Sequence, residues 1–336
     1  MTRATEDRFL GALLGLAIGD ALGMPFTGLT REQIARNVGP VREFHPLIDP
    51  DNGDVAAGEV TDETETVLAL SEVLTTTGGV LDSDLAGPRL SHLARSESRR
   101  WFPEQTLAGI RLAETADFVL RLDEDAPFTP DVLVRGVPVG LIQSVGPIDE
   151  EDLMADAEAA VLLSHQSTAA ISAVAVVALI ARFAAIDEGP PTEWAARASN
   201  ILGGQVADQL VASISAVADQ DLPGALDQLL ASSEDLAPLA AAIVAASRAE
   251  RFEDAVFAVV EAGGPTDSAG ALAGAFAGAR FGSSGIPQGL IDGLGCRIYV
   301  TLAGPWLLKA ARKRAGAVID LLPRFDMPRP DMPPRI

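Results

Sequence analysis

The chain has 336 residues, of which 48% are hydrophobic, so it can bury a sizeable core as one large domain or two ordinary ones. Its 47 acidic residues against 25 basic ones leave a formal charge of -22, which argues against a nucleic-acid surface or an anionic membrane as partner. The single cysteine, Cys296, excludes an internal disulfide framework and a cysteine-based zinc site, and it fits a reducing cytoplasm, the expected location.

The first predicted element is an apolar run at residues 9–19. It is not read as a signal peptide, because the preceding segment balances Arg3 and Arg8 against Glu6 and Asp7, and Asp20 closes the run where a small-residue cleavage site would be needed. Neither this run nor the one at residues 169–180, closed by Arg182, has the length of a membrane span. Gly11, Gly15, Gly19 and Gly23 recur every four residues, which aligns them on one side of a buried helix and leaves a stripe that another backbone can approach. The helix is expected to end at Pro25. Residues 30–60, with Gly39-Pro40, Pro46 and Pro50, read as an irregular loop. Within it Asp49, Asp51, Asn52 and Asp54 lack the spacing and terminal glutamate of a calcium loop and read as a solvated turn.

Thr61, Asp62, Glu63 and Thr64 then place two carboxylates and two hydroxyls in one turn, ahead of the apolar positions Val67, Leu68, Leu70, Val73 and Leu74. Such oxygen donors suit a hard cation. They equally suit an ordinary helix start with acids on the favourable side of the macrodipole, and at this point both readings stand.

Helical spacing continues through 65–122 with breaks at Gly78-Gly79 and Pro103, and proline and glycine punctuate 123–150 around residues 135–140. Long helical stretches follow at 151–185, 205–249 and 266–316. The chain closes on a proline-rich tail (Pro323, Pro328, Pro330, Pro333, Pro334), expected to lie extended on the surface. With no βαβ alternation, the expected fold is all-α: a single compact multi-helix domain over residues 1–322 and a tail over 323–336.

A second acidic, hydroxyl-bearing turn, Gly263-Gly264-Pro265-Thr266-Asp267-Ser268, opens a helix over 269–281 in which Gly270, Gly274 and Gly278 repeat the four-residue stripe. Two glycine-striped helices can pack closely, and that packing would carry Asp267 and Ser268 to Thr61, Asp62 and Glu63 and complete an oxygen-only cation site. Elsewhere, Arg135 reads either as a phosphate-neutralising group or as a surface ion pair. His45 and His92 read as structural or exposed, and Trp101, Trp194 and Trp306 as core anchors. Asp20, at the end of the first helix, reads more readily as a network carboxylate than as a catalyst. No serine–histidine spacing favours a nucleophilic triad.

Taken in order, residues 9–23 with Gly19-Asp20-Ala21-Leu22-Gly23, Gly58-Glu59-Val60-Thr61-Asp62-Glu63-Thr64, Ser164-His165, Gly263 to Ser268, and Gly285-Ile286-Pro287 resemble the ADP-ribosylglycohydrolases of the type that reactivates dinitrogenase reductase. The resemblance implies an all-α domain holding two magnesium ions and hydrolysing the ribose anomeric bond of ADP-ribosylated acceptors. ADP-ribose, or an ADP-ribosylated protein or small molecule, is then the implied partner. By matching positions, Thr61, Asp62, Glu63 and Asp267 correspond to ligands of one metal, and Asp267 with Ser268 to ligands of the other. Asp62 and Glu63 take the catalytic role, while Asp20, Arg135 and His165 line the substrate pocket; the other reading of His165 is a capping or satisfied polar residue.

Several positions depart from the family pattern. Pro265 stands where an aspartate is usual, Glu63 where a second aspartate is, and Thr27 where a proton-handling glutamate is. Thr129-Pro130-Asp131 replaces a glycine-rich phosphate loop ahead of Arg135. The expectation is therefore at most one weakly held divalent ion and slow or absent turnover. The alternatives are a non-catalytic ADP-ribose or nucleotide binding protein, or a structural use of the same scaffold.

Overall fold

The computed structural model describes residues 4–51, 53–115, 121–123, 126–232 and 235–317. Thr5 caps α1 (Glu6–Gly23) by accepting a hydrogen bond from the Arg8 amide at 3.3 Å, and Pro25 turns the chain into a short 3-10 segment. The loop expected over 30–60 is interrupted by α2 (Arg31–Asn37), made viable by a reciprocal capping box between Thr30 and Gln33. Asp49 and Asp54 do form an exposed turn, with the Asp49 amide donating to Asp54 Oδ1 at 3.1 Å. α3 (Asp62–Thr77) stops at Gly78, whose φ of 81° is left-handed, and Asp82 caps α4 (Ser83–Leu93). Pro103 precedes α5 (Glu104–Ala113).

The stretch read as punctuated by proline and glycine is instead a buried 3-10 run, Pro130–Arg135, passing directly into α6 (Gly136–Ile142). Pro138 lies in the first turn, where its missing N–H is not required, and Gly136 and Gly140 give up side chains to admit the backbone of a neighbouring helix. That neighbour is α8 (Thr168–Ile186), which follows α7 (Glu150–Val161). Then come α9 (Trp194–Leu202), α10 (Gln205–Ser215), α11 (Leu222–Leu230), α12 (Ala237–Arg248) and α13 (Phe252–Ala262). α14 (Thr266–Phe281), α15 (Gln288–Gly293) and α16 (Arg297–Arg314) complete the fold. Among the described residues there is no strand, only three isolated bridges, and the helices form one domain around one core. The tail at 323–336 lies outside the described residues.

The two apolar runs belong to longer helices than their spacing alone indicated. α1 and α8 are long and apolar enough to cross a membrane, but 89% of each apolar window is buried inside the fold.

The glycine stripes meet as expected. α1 and α14 run antiparallel, and a Cβ placed on Gly11, Gly15, Gly19 or Gly23 would come within 2.3, 2.1, 1.9 and 2.0 Å of the carbonyl oxygens of Gly278, Gly274, Gly270 and Thr266. Main chain therefore rests on main chain along the whole seam, a contact only glycine permits. Trp194 is a buried core anchor as expected, and Trp101 is partly buried with the Arg100 guanidinium over its ring. Trp306 departs from that expectation: it is 51% exposed on α16, with the Lys309 ammonium 4.1 Å from its ring centroid.

Candidate active site at three helix ends

The seam fixes the end of α1 against the start of α14, and the start of α3 closes on both. Asp20 is the link. It is fully buried; Oδ1 accepts from the Thr61 hydroxyl at 2.8 Å, and Oδ2 from the Thr61 amide at 2.9 Å, the Thr64 amide at 3.3 Å and the Thr64 hydroxyl at 2.5 Å. Thr61, the N-cap of α3, makes no side-chain cap bond of its own, so a carboxylate from another helix satisfies the orphan amides there. This matches the network role expected of Asp20, and it leaves both its oxygens occupied.

Glu63 reaches across to α14. Its Oε1 accepts from the Ser268 hydroxyl at 2.6 Å, its Oε2 shares the Thr61 hydroxyl with Asp20, and it is hydrogen-bonded to Asp62. Asp267, half-buried, accepts from the Ser268 amide at 2.8 Å and from the exposed Thr27, which also meets Thr266 at 3.2 Å. Pro265 sits at the N-cap of α14 and supplies no cap bond. The structure thus brings Thr61, Asp62, Glu63, Asp267, Ser268 and Asp20 together.

Crowding four acids into one interior has an electrostatic cost. Burial first, and then the neighbouring carboxylates, push Glu63 and Asp267 up to about 7 and Asp62 well above the usual carboxylate range. Burial carries Asp20 to about 7 against the opposing hydrogen bonds from Thr64 and Thr61. A hard cation is the chemistry such an oxygen set would accept, and it would relieve the repulsion. As placed, though, the donors are turned onto one another, and among the described residues no group of three or more His, Cys, Asp or Glu side chains converges in metal-holding geometry.

Arg135 and His165 occupy a second polar layer, joined to the first through Asp131, a residue the sequence reading noted only as part of a lost loop. Asp131 Oδ2 accepts from the Thr106 hydroxyl at 2.8 Å and lies 3.8 Å from Arg135 Nη2; the field of Asp131 in turn raises Asp62. Thr106 meets Thr129 at 3.2 Å, and Thr129 meets His165 Nε2 at 3.3 Å. His165 Nδ1 pairs with Ser164 at 2.8 Å; burial, and then the Arg135 cation, pull its pKa down to about 3, so the ring is neutral. It borders a cavity of about 230 Å³ with Gln105, Ser164 and Gln166. The only signal for Asp131 in the sequence was its four-residue spacing from Arg135.

Arg135 is not in a surface ion pair. It is wholly buried, donating Nη1 to the Ala160 carbonyl at 2.9 Å, while Nε and Nη2 have no hydrogen-bond partner. Removing it strands Asp131, so Arg135→Met is expected to lower stability by about 3–5 kcal/mol in urea unfolding, and adding Asp131→Asn should recover most of the loss.

Comparisons with known proteins agree with this fold. The family profile described as ADP-ribosylglycohydrolase matches residues 1–322. An uncharacterized protein of Archaeoglobus fulgidus is 30% identical over 301 residues, covering 88% of this chain and 94% of its own. The ADP-ribosyl-[dinitrogen reductase] glycohydrolase of Rhodospirillum rubrum is 36% identical over 85 residues, 24% of this chain and 27% of that one. A solved structure titled ADP-ribosylglycohydrolase-related protein complex superposes with a TM-score of 0.68 at 26% identity, covering 91% of this chain and 98% of that chain. With the profile spanning every described helix, the chain belongs to the ADP-ribosylglycohydrolase family.

Proposed function

We propose that this chain is a divalent-cation-dependent ADP-ribosyl glycohydrolase with weakened turnover, acting on an ADP-ribosylated protein or small molecule. The observation that carries the reading is the oxygen-only cluster of Thr61, Asp62, Glu63, Asp267 and Ser268, assembled from two facing helix starts. Magnesium is the ion that best fits small, hard donors of this kind; bound there it would orient the ribose diol and a water.

The chain's own residues account for the rest of the chemistry. Glycoside hydrolysis needs a carboxylate to take a proton from the attacking water near neutral pH. Asp62 and Glu63, hydrogen-bonded to each other, are the carboxylates placed to take that proton. Asp20 fixes the first turn of α3, so the pair is positioned before substrate arrives.

Weakening follows from three positions. Pro265 offers no carboxylate, Thr27 cannot act as a general base near neutral pH, and Glu63 carries one methylene more than aspartate. The hydroxyls of Thr61 and Ser268 also occupy both Glu63 oxygens and must turn away before that residue can bind anything else. That occupancy favours a second reading, a non-catalytic ADP-ribose binding protein.

Calorimetric titration with ADP-ribose, with and without Mg²⁺, followed by release assays on arginine-linked and serine-linked ADP-ribose, separates the two. Cation-dependent binding with measurable release supports the enzyme; binding with no release selects the second reading; no binding of either ligand sinks both. The triple change Pro265→Asp, Glu63→Asp and Thr27→Glu is expected to raise Mg²⁺ affinity by tenfold or more, on the order of 1.4 kcal/mol. Unchanged affinity would remove the ion from this cluster.

A further inference from the structure

An apolar groove of about 670 Å³ runs between α3, α4 and α16, on the face that exposes Trp306. Its walls include Leu68, Pro88, Leu93, Tyr299, Leu302 and Trp306. Tyr299, Leu302 and Trp306 recur at helical spacing on α16 and are 73%, 59% and 51% exposed, an apolar stripe of the kind helices ordinarily bury. Glu72 and Glu65 lie along the α3 side. Glu72 is taken by Arg89 at 2.9 Å, but Glu65 Oε2 is buried without a hydrogen-bond partner.

The described chain ends just past α16, at the end of this groove. α3 and α16 run parallel: Gly295 N donates to Gly58 O at 2.9 Å just ahead of both helices, and Arg314 Nη1 donates to Gly79 O at 2.5 Å just past α3. At its C-terminus α16 is stopped by Gly316, with φ of 73°, and the Ala317 amide returns to the Arg312 carbonyl at 2.9 Å. This left-handed cap ends the helix and takes the chain off its axis. The distance back from Arg314 to Trp306 is eight helical residues, about 12 Å. Residues 318–322, extended, reach about 16 Å.

Beyond them residues 323–336 carry five prolines, three arginines, Phe325 and two methionines. Proline-rich chain docks in aromatic-lined grooves as a polyproline II helix at little entropic cost. The α3 wall from Glu65 to Thr76 is about 16 Å long, which roughly five residues of polyproline II would span. The arginines are the charge complement of Glu65, whose side chain is hydrogen-bonded to Ser98 while Oε2 has no partner.

We propose that the proline-rich segment 323–336 of this same chain occupies the groove between α3 and α16, stacking on Tyr299 and Trp306 and bringing an arginine to Glu65. The occupant is the chain's own tail, not a second copy.

Paramagnetic broadening in the full chain tests it. With Cys296→Ala and Met332→Cys, a nitroxide on the new thiol should cause loss of the Trp306 indole N–H signal, identified by Trp306→Phe, while the buried Trp194 signal persists. Adding Leu302→Glu, at an exposed position, should restore the Trp306 signal. A Trp306 signal that stays intact in the labelled chain overturns the proposal. So does broadening that appears when unlabelled isotope-enriched chain is mixed with labelled natural-abundance chain, because the tail is then reaching a second copy.

Discussion

In the absence of divalent cation, the protein is expected to lose stability steadily as pH rises from about 4 to about 8, and a divalent cation should restore most of that loss at the upper end. The direction follows from the acids at the three helix ends. Asp20, Glu63 and Asp267 stand at about 7 in the folded state because burial, aided by neighbouring carboxylates, disfavours their charge. In the unfolded chain such groups titrate near 4. The folded state therefore binds more protons across this window, so its advantage is complete below about pH 4 and is lost as pH climbs through about 7. One carboxylate moved that far is worth roughly 4 kcal/mol, and because the three interact their sum is less than additive, giving a total loss on the order of 5 kcal/mol. Urea unfolding at several pH values, with and without millimolar Mg²⁺, reads the effect directly. A flat pH profile with no cation response would mean that the cluster is neither crowded nor able to take an ion.

Gly19→Ala is expected to be among the most damaging single methyls in the molecule. Its Cβ would lie 1.9 Å from the Gly270 carbonyl oxygen and 2.4 Å from the carbonyl carbon, and both are backbone atoms that no rotamer change can remove. The helices must separate, with a cost of about 3 kcal/mol or more. The loss should reach the site as well: Asp20 is the next residue, and shifting it withdraws the cap from Thr61 and Thr64. Gly289→Ala in α15 is the control. A Cβ there meets nothing within 4 Å, so a stability change between neutral and about 1 kcal/mol favourable is expected. Equal effects from the two substitutions would show that the seam does not depend on backbone contact.

The parts legible in the sequence were those that repeat. Four-residue glycine spacing announced both helices of the seam, and hydroxyls beside carboxylates at two helix starts announced what the seam would bring together. What stayed hidden was depth. Periodicity says which face of a helix turns inward but not what is laid over it; Arg135 is sealed at 0% exposure, while Trp306 stands half in water. Asp131 was passed over because its significance lies in neighbours remote in sequence, Thr106 and Asp62. α2 was missed because seven residues are too few to show a period, and only the reciprocal bonds of Thr30 and Gln33 define it. Residues 135–140 misled in the opposite sense. Glycine there marks close approach of α8 rather than a turn, and composition alone does not distinguish the two uses.

The pairing of α1 with α14 also sets a delay in biosynthesis. Gly23 leaves the ribosome hundreds of residues before Thr266, its contact in the seam, so at about 5–20 residues per second α1 waits roughly 12–50 s for its partner. During that interval a helix apolar enough to pass for a membrane span has no glycine-striped surface to rest on. The nascent chain must hold it among other helices or hand it to a chaperone, and slowing translation between α1 and α14 would lengthen the exposure without altering one contact of the finished fold.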